Sequence, residues 1–298
     1  MMNGEVEVPG LRPVFISLSS GSSGNCYFVG RFRGEECEDG LIVDAGVSFK
    51  RLKICLEDAG IPVEKIKAVL ITHDHMDHVR SLASYCKKMH VPVWTSEVLA
   101  SALFQKSYNM EALGVTPHIL VSDGWNEVAG FAVRYFEVPH DATQTVGYYI
   151  RIPLAEVSGA GVPSDVPCHR FFIMTDAGRV VDEALAFASE AETVVFESNY
   201  DVDMLVGGRY TAELKRRIMN GNGHLSNDEC AAAVRNFCHA GLRNLFLCHL
   251  SENNNTPRLA YDAVLAALEE LCGQGIIEKG AVSLRPLPRT SPSGLIFL

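Results

Sequence analysis

Along residues 14–18 and 25–32 apolar and polar positions alternate, and a charged, glycine-containing stretch at 34–40 leads on to Leu41-Ile42-Val43-Asp44. A period of two sends every other side chain to one face, so these segments predict antiparallel strands and a hairpin. From Phe49 the period changes. Phe49, Leu52, Leu56 and Ala59 recur at helical spacing, and Gly60 and Pro62 stop the helix. A strand over 67–71, a polar loop, and helical patterns over 79–90 and 96–107 follow. In the second half, strands over 131–138 and 145–152 pair. Residues 153–167, rich in Pro, Gly and Ser, predict a surface loop between strands, and the apolar runs 171–174, 193–196 and 244–248 predict buried strands. Helices are expected near 181–191, from the capping box Ser226-Asn227-Asp228-Glu229 to Gly241, and from Thr256-Pro257 to about Cys272. Strand pairs leading each half, then strands followed by helices, predict two sheets packed face to face with helices outside.

Composition narrows this picture. The 298 residues would make two units at ~150 per domain, but α/β folds of this size are often one unit with one large core, and a single domain over 1–298 is expected. Nine cysteines, an odd number with no Cys-x-x-Cys pair, fit reduced thiols in a cytosol better than a disulfide framework. The start, Met-Met-Asn-Gly-Glu, has no basic segment followed by an apolar one, and no run approaches the ~20 apolar residues of a membrane span. A cytoplasmic chain with no membrane partner is the expectation, and its oligomeric state is left open. The net charge of −10 argues mildly against a broad electrostatic footprint on nucleic acid, although bound divalent ions would reverse that sign locally.

The candidate chemistry lies in Ile71-Thr72-His73-Asp74-His75-Met76-Asp77-His78, directly after the apolar run 68–71. Imidazole nitrogens and carboxylate oxygens ligate borderline divalent cations, and a tight loop at a strand end aims alternate side chains at one point. An N-cap cluster needs one polar residue, not four. Three later residues also follow strand-like apolar runs: His140, Asp176 and His249. Strand ends at one sheet edge cluster in space, so about seven ligands can converge, enough for two ions that share a water.

His73-x-His75-x-Asp77-His78, followed in order by His140, Asp176 and His249, resembles the metal motifs of the metallo-β-lactamase superfamily. The resemblance implies a four-layer αβ/βα sandwich, an α/β (α+β) fold. It also implies that His73, His75 and His140 hold one metal, that Asp77, His78 and His249 hold the other, and that Asp176 bridges them. Asp44 resembles the family's ligand-orienting aspartate, although a turn aspartate before Gly46 reads equally well. The carboxylate at Asp176 stands where lactamases usually carry cysteine, and His75 where di-iron oxygen reductases carry glutamate.

Further segments point towards nucleic acid. The stretch 18–25, Leu-Ser-Ser-Gly-Ser-Ser-Gly-Asn, reads either as a flexible turn or as a source of donors for a phosphate, which makes Ser20, Ser22 and Asn25 candidate substrate contacts. The segments 196–201, with Glu197 and Asn199, and 223–227, with His224, resemble motifs of the ribonuclease Z and J relatives. The whole set most resembles the YycJ (WalJ) group of exonucleases. That resemblance implies 5′-to-3′ hydrolysis of DNA, and the likeness to the ribonucleases implies that His224 protonates the leaving oxygen with Glu197 behind it. A His/Asp set without thiolate suits two Zn, Mn or Fe ions, which would share a bridging hydroxide that Asp77 orients or deprotonates. The cations Arg209, Lys215, Arg216 and Arg217 read either as a solvated helix face or as a strand-binding strip. Two other outcomes remain. One is a hydrolase of a small cyclic phosphodiester, thioester or lactone; the other is a weakly active metal-containing regulatory protein.

Overall fold

The computed structural model describes residues 10–105, 116–157 and 161–298. β1 (Leu11–Gly21), β2 (Gly24–Arg33) and β3 (Glu36–Val43) run antiparallel, as their alternation predicts. The chain then crosses through α1 (Phe49–Asp58), with Leu52 and Leu56 buried one turn apart, into the parallel strand β4 (Ile66–Leu70). Next come α2 (Met76–Val79), α3 (Leu82–Met89), β5 (Val93–Thr95), α4 (Glu97–Gln105) and β6 (His118–Ile119). The second half opens on β7 (Asn126–Val128), β8 (Phe131–Val138) and β9 (Thr145–Pro153). It continues through β10 (Cys168–Met174), α5 (Asp182–Ala188), β11 (Thr193–Glu197), α6 (Val202–Gly207) and α7 (Ala212–Met219). α8 (Asn227–Phe237), β12 (Asn244–Cys248), α9 (Pro257–Gly273), β13 (Ser283–Pro286) and β14 (Ile296–Phe297) complete the order.

These strands form two sheets of mirrored order, β14-β1-β2-β3-β4-β5-β6 and β13-β12-β11-β10-β9-β8-β7. Between the sheets Phe15 stacks on Phe246 at 5.2 Å and meets Phe171 at 5.5 Å. Burying each such phenyl stabilises the sandwich by roughly 1.5–3 kcal/mol. The outer face of the first sheet packs on Leu52, Leu56, Leu82 and Tyr85 of α1 and α3, and that of the second on Ala184, Val234 and Val264 of α5, α8 and α9. Helix, sheet, sheet, helix is the layering the resemblance implies.

Several local expectations are corrected. The helix foreseen over 79–90 is two helices, because the Ser81 N–H turns to the Ala45 carbonyl at 3.0 Å. The stretch 18–25 is not an open loop: β1 runs to Gly21, β2 starts at Gly24, and only Ser22 and Ser23 make the turn. The predicted end of the 96–107 helix lies outside the described residues, as does 158–160 of the surface loop, whose base is closed by Leu154 N–H to Pro167 O at 2.9 Å. All nine cysteines are free thiols. Among the described residues no helix is long and apolar enough to cross a membrane.

Candidate metal centre and active site

Strand endings place the polar groups. β3 stops before Asp44, β4 before the histidine loop, β8 before His140, β10 before Asp176 and β12 before His249, while β11 ends on Glu197 itself. Asp44, Asp176 and His249 take left-handed φ values of 62°, 55° and 54°. Outside glycine this conformation costs roughly 1–2 kcal/mol, which the surrounding bonds must offset. It turns each chain off its strand and directs the side chain towards a common point.

The seven expected ligands do come together. His73, His75 and His140 have ligand atoms within 4.8 Å of one another, as do Asp77, His78 and His249; His73, His78 and Asp176 form a third such group between them. Asp176 Oδ2 is 3.2 Å from His78 Nε2, and Oδ1 is 3.9 Å from His140 Nε2. The residue at the N-cap of α2 is His75, whose side chain makes no capping bond, so the loop's polar residues are not there to cap a helix.

Partners behind the imidazoles fix which nitrogen points inward. His78 Nδ1 donates to Asp44 Oδ2 at 2.7 Å, His140 Nδ1 to Gly223 O at 2.7 Å and His249 Nδ1 to Glu197 Oε1 at 3.0 Å. Each bond leaves Nε2 for the site. His75 is the reverse case, with Nε2 on Asp141 O at 3.3 Å and Nδ1 facing His140. Asp44 is itself held by the Thr72 N–H at 2.9 Å and hydroxyl at 2.8 Å, so it has the ligand-orienting place. Asp74 faces away and accepts from Thr143.

Two observations test whether this set suits a divalent cation. The buried His73 Nε2 and His249 Nε2 have no hydrogen-bond partner, and buried polar atoms are rarely left so unless an ion or water meets them. Burial also lowers the pKa values of His73 and His140, the former well below its ordinary value, which keeps them in the neutral form that binds metal. His78 and His249 behave oppositely: burial opposes their protonation, but Asp44 and Asp176 raise His78, and Asp176, Asp77 and Glu197 push His249 up to about 10. Carboxylates that balance a proton's charge can balance a cation's equally well, and all of these donors are nitrogen or oxygen, as Zn, Mn and Fe accept.

Glu197 is fully buried and accepts from the backbone N–H of Ala177 at 2.8 Å and of Leu225 at 3.3 Å. Burial alone would raise its pKa, but His224 and His249 hold it below the usual carboxylate range. His224 Nδ1 donates to Glu197 Oε1 at 2.8 Å, and its side chain is 21% exposed on the wall of an open cleft of about 270 Å³. Asp77 opens onto the same cleft with 19% of its side chain exposed, and Ser22 and Asn199 also line it.

Ser20 and Asn25 do not face the cleft as candidate phosphate donors would. Ser20 Oγ accepts from the His249 N–H at 2.9 Å and pairs with the Tyr27 hydroxyl at 2.9 Å, while Asn25 Nδ2 lies 2.8 Å from His78 Nε2 and 3.2 Å from Asp77 Oδ2. Both are fully buried and support the ligand loops from below. Three neighbours that the sequence reading did not single out also shape the site. Thr72 and Asp141 touch histidines of the converging cluster, and Gly46 packs its backbone against Asp77. Thr72 and Asp141 each adjoin a ligand in sequence, which was the one available signal.

Residues 41–250 match the beta-lactamase superfamily domain. The exodeoxyribonuclease YycJ of Bacillus anthracis is 31% identical over 257 residues, which cover 86% of this chain and 89% of that protein. The exodeoxyribonuclease WalJ of Streptococcus pneumoniae strain D39 is 29% identical, covering 85% of this chain and 87% of that one. Among solved structures, unliganded yeast PDE1 aligns with a TM-score of 0.67 at 12% identity, covering 96% of this chain and 100% of that chain, a likeness of fold alone. With its domain match, its sandwich and its histidine and aspartate cluster, the chain belongs to the metallo-β-lactamase superfamily and is a hydrolase of the YycJ (WalJ) group.

Proposed function

We propose that this hydrolase is a phosphodiesterase that removes nucleotides from DNA in the 5′-to-3′ direction. The observation that carries this reading is the buried Glu197 holding His224 Nδ1 beside the ligand cluster, with His224 exposed to the cleft. A leaving alkoxide needs a proton, and an imidazole fixed through one nitrogen can deliver it from the other. The names of the two exodeoxyribonuclease relatives favour DNA as the substrate.

His73, His75 and His140 would hold one divalent ion, Asp77, His78 and His249 a second, and Asp176 both. When bound, such ions supply Lewis acidity at the phosphodiester and an acidified water for in-line attack. The protein's own groups do the rest. Asp77, at the cleft surface, orients the attacking water and takes its proton. His224 gives a proton to the departing oxygen, and the Glu197 carboxylate holds its Nδ1 and so orients the ring. Ser22, on the cleft wall, offers a donor to the non-bridging oxygens, while the Asn199 amide is held by the His249 carbonyl at 2.7 Å. The nine free thiols fit a reducing cytoplasm.

The test is incubation of purified wild type and Asp176→Ala with 5′-labelled single- and double-stranded DNA and RNA. Mononucleotides released from one DNA end by wild type, with loss of both activity and metal in Asp176→Ala, is the expected result. Hydrolysis confined to small cyclic phosphodiesters, thioesters or lactones overturns the reading. Metal retention with no turnover on any substrate would point to a regulatory protein instead.

A further inference from the structure

α7 makes no contribution to either core: it has no buried residue. A surface helix ordinarily packs an apolar stripe inward. Here the apolar pair Leu214 and Ile218, four apart on one face with Arg217 beside them, lines the active-site cleft instead. The wall is pinned at several points. Lys215 Nζ donates to Val206 O at 2.7 Å and Gly208 O at 2.8 Å, Arg217 Nε donates to Asp141 Oδ2, and Ile218 O accepts the His224 N–H at 3.1 Å. Just before the helix, Tyr210 also lines the cleft, its hydroxyl accepting from Asn253 Nδ2 at 3.1 Å.

We propose that Tyr210 and Arg217 form a subsite for the terminal nucleotides of the strand being cut, the ring stacking on a base and the guanidinium holding a backbone phosphate. This rests on the nuclease reading and adds to it the residues that would grip the strand end. Arg217 is the one Lys or Arg lining the cleft among the described residues; Lys215 is bound to backbone carbonyls and Arg216 Nε to Ala212 O. Asp141 occupies only Nε of Arg217, leaving its terminal nitrogens as donors. That same Asp141 lies 3.4 Å from His140 Nε2, so a phosphate on Arg217 would sit close to the ligand cluster. A tyrosine face accepts any base, so the subsite favours ends without reading sequence.

The experiment measures KM and kcat on a 5′-labelled oligothymidylate with the metal-loaded protein, alongside thermal unfolding of each variant. Tyr210→Ala is expected to raise KM about tenfold, with the loss in KM and not kcat, and Tyr210→Phe to restore it. Arg217→Gln is expected to lower the slope of log KM against log salt by about 0.7. An unchanged KM in Tyr210→Ala, an unchanged salt slope in Arg217→Gln, or a Tyr210→Phe as impaired as Tyr210→Ala overturns the subsite; the last outcome makes the hydroxyl's hold on Asn253 the whole role. If wild type leaves every oligonucleotide intact, the nuclease reading fails and the subsite with it. If wild type cuts and KM does not move, the subsite alone fails.

Discussion

Replacing His224 with alanine is expected to cut turnover on DNA by a factor of about 10²–10⁴ while metal content stays at the wild-type level. Glu197 keeps its bonds to the Ala177 N–H, the Leu225 N–H and His249 Nδ1 when His224 is gone. The carboxylate therefore stays satisfied, and the His249 ring stays oriented. What disappears is an imidazole that joins Glu197 to the open cleft without belonging to the seven expected ligands. Single-turnover rates and elemental analysis of the same preparation check this. Loss of metal in the variant, or a rate within a few-fold of wild type, would make His224 a structural residue.

Gly46→Ala is expected to damage the site from a position that touches no substrate. A Cβ there would lie 1.7 Å from the Asp77 carbonyl oxygen and 2.5 Å from the Asn25 backbone nitrogen. Neither atom can swing aside as a side chain would. The turn that carries Asp44 is clamped on both sides, by Gly46 N–H to Asn25 O at 2.9 Å and Ala45 N–H to His78 O. A methyl group must separate that turn from Asp77 and His78, so both stability and metal uptake should fall, stability by about 3 kcal/mol. Urea unfolding and metal content measure the two effects. Gly207→Ala, with open space around its Cβ, is the matching control, and equal behaviour of the two variants would contradict the close-packing account.

Much of this was legible in the sequence. An apolar run that stops at a histidine or aspartate marks a strand end, and five strand ends at one edge of two sheets must converge; His140, Asp176 and His249 were readable on that ground. The buried placement of Ser20 was not. Its neighbour Ser19 donates to the carbonyl of Arg289, 270 residues away, and no local pattern shows that contact converting a run of hydroxyls into a paired strand. α7 was equally opaque, because apolar residues such as Leu214 and Ile218 set among charges look the same whether they face a cleft or solvent. β13 and β14 are short edge strands without a period to read. A glycine required for close approach, such as Gly46, has the same letter as one that merely turns.

Under the proposed function the seven converging residues make a metal-dependent exonuclease. The most direct measurement is a titration of chelator-stripped protein with Mn²⁺ or Zn²⁺, following mononucleotide release from 5′-labelled single-stranded DNA. No release is expected from the stripped protein, and a rise that saturates at two ions per chain is expected as metal is added. Release without metal, or saturation with metal while the DNA stays intact, would contradict it.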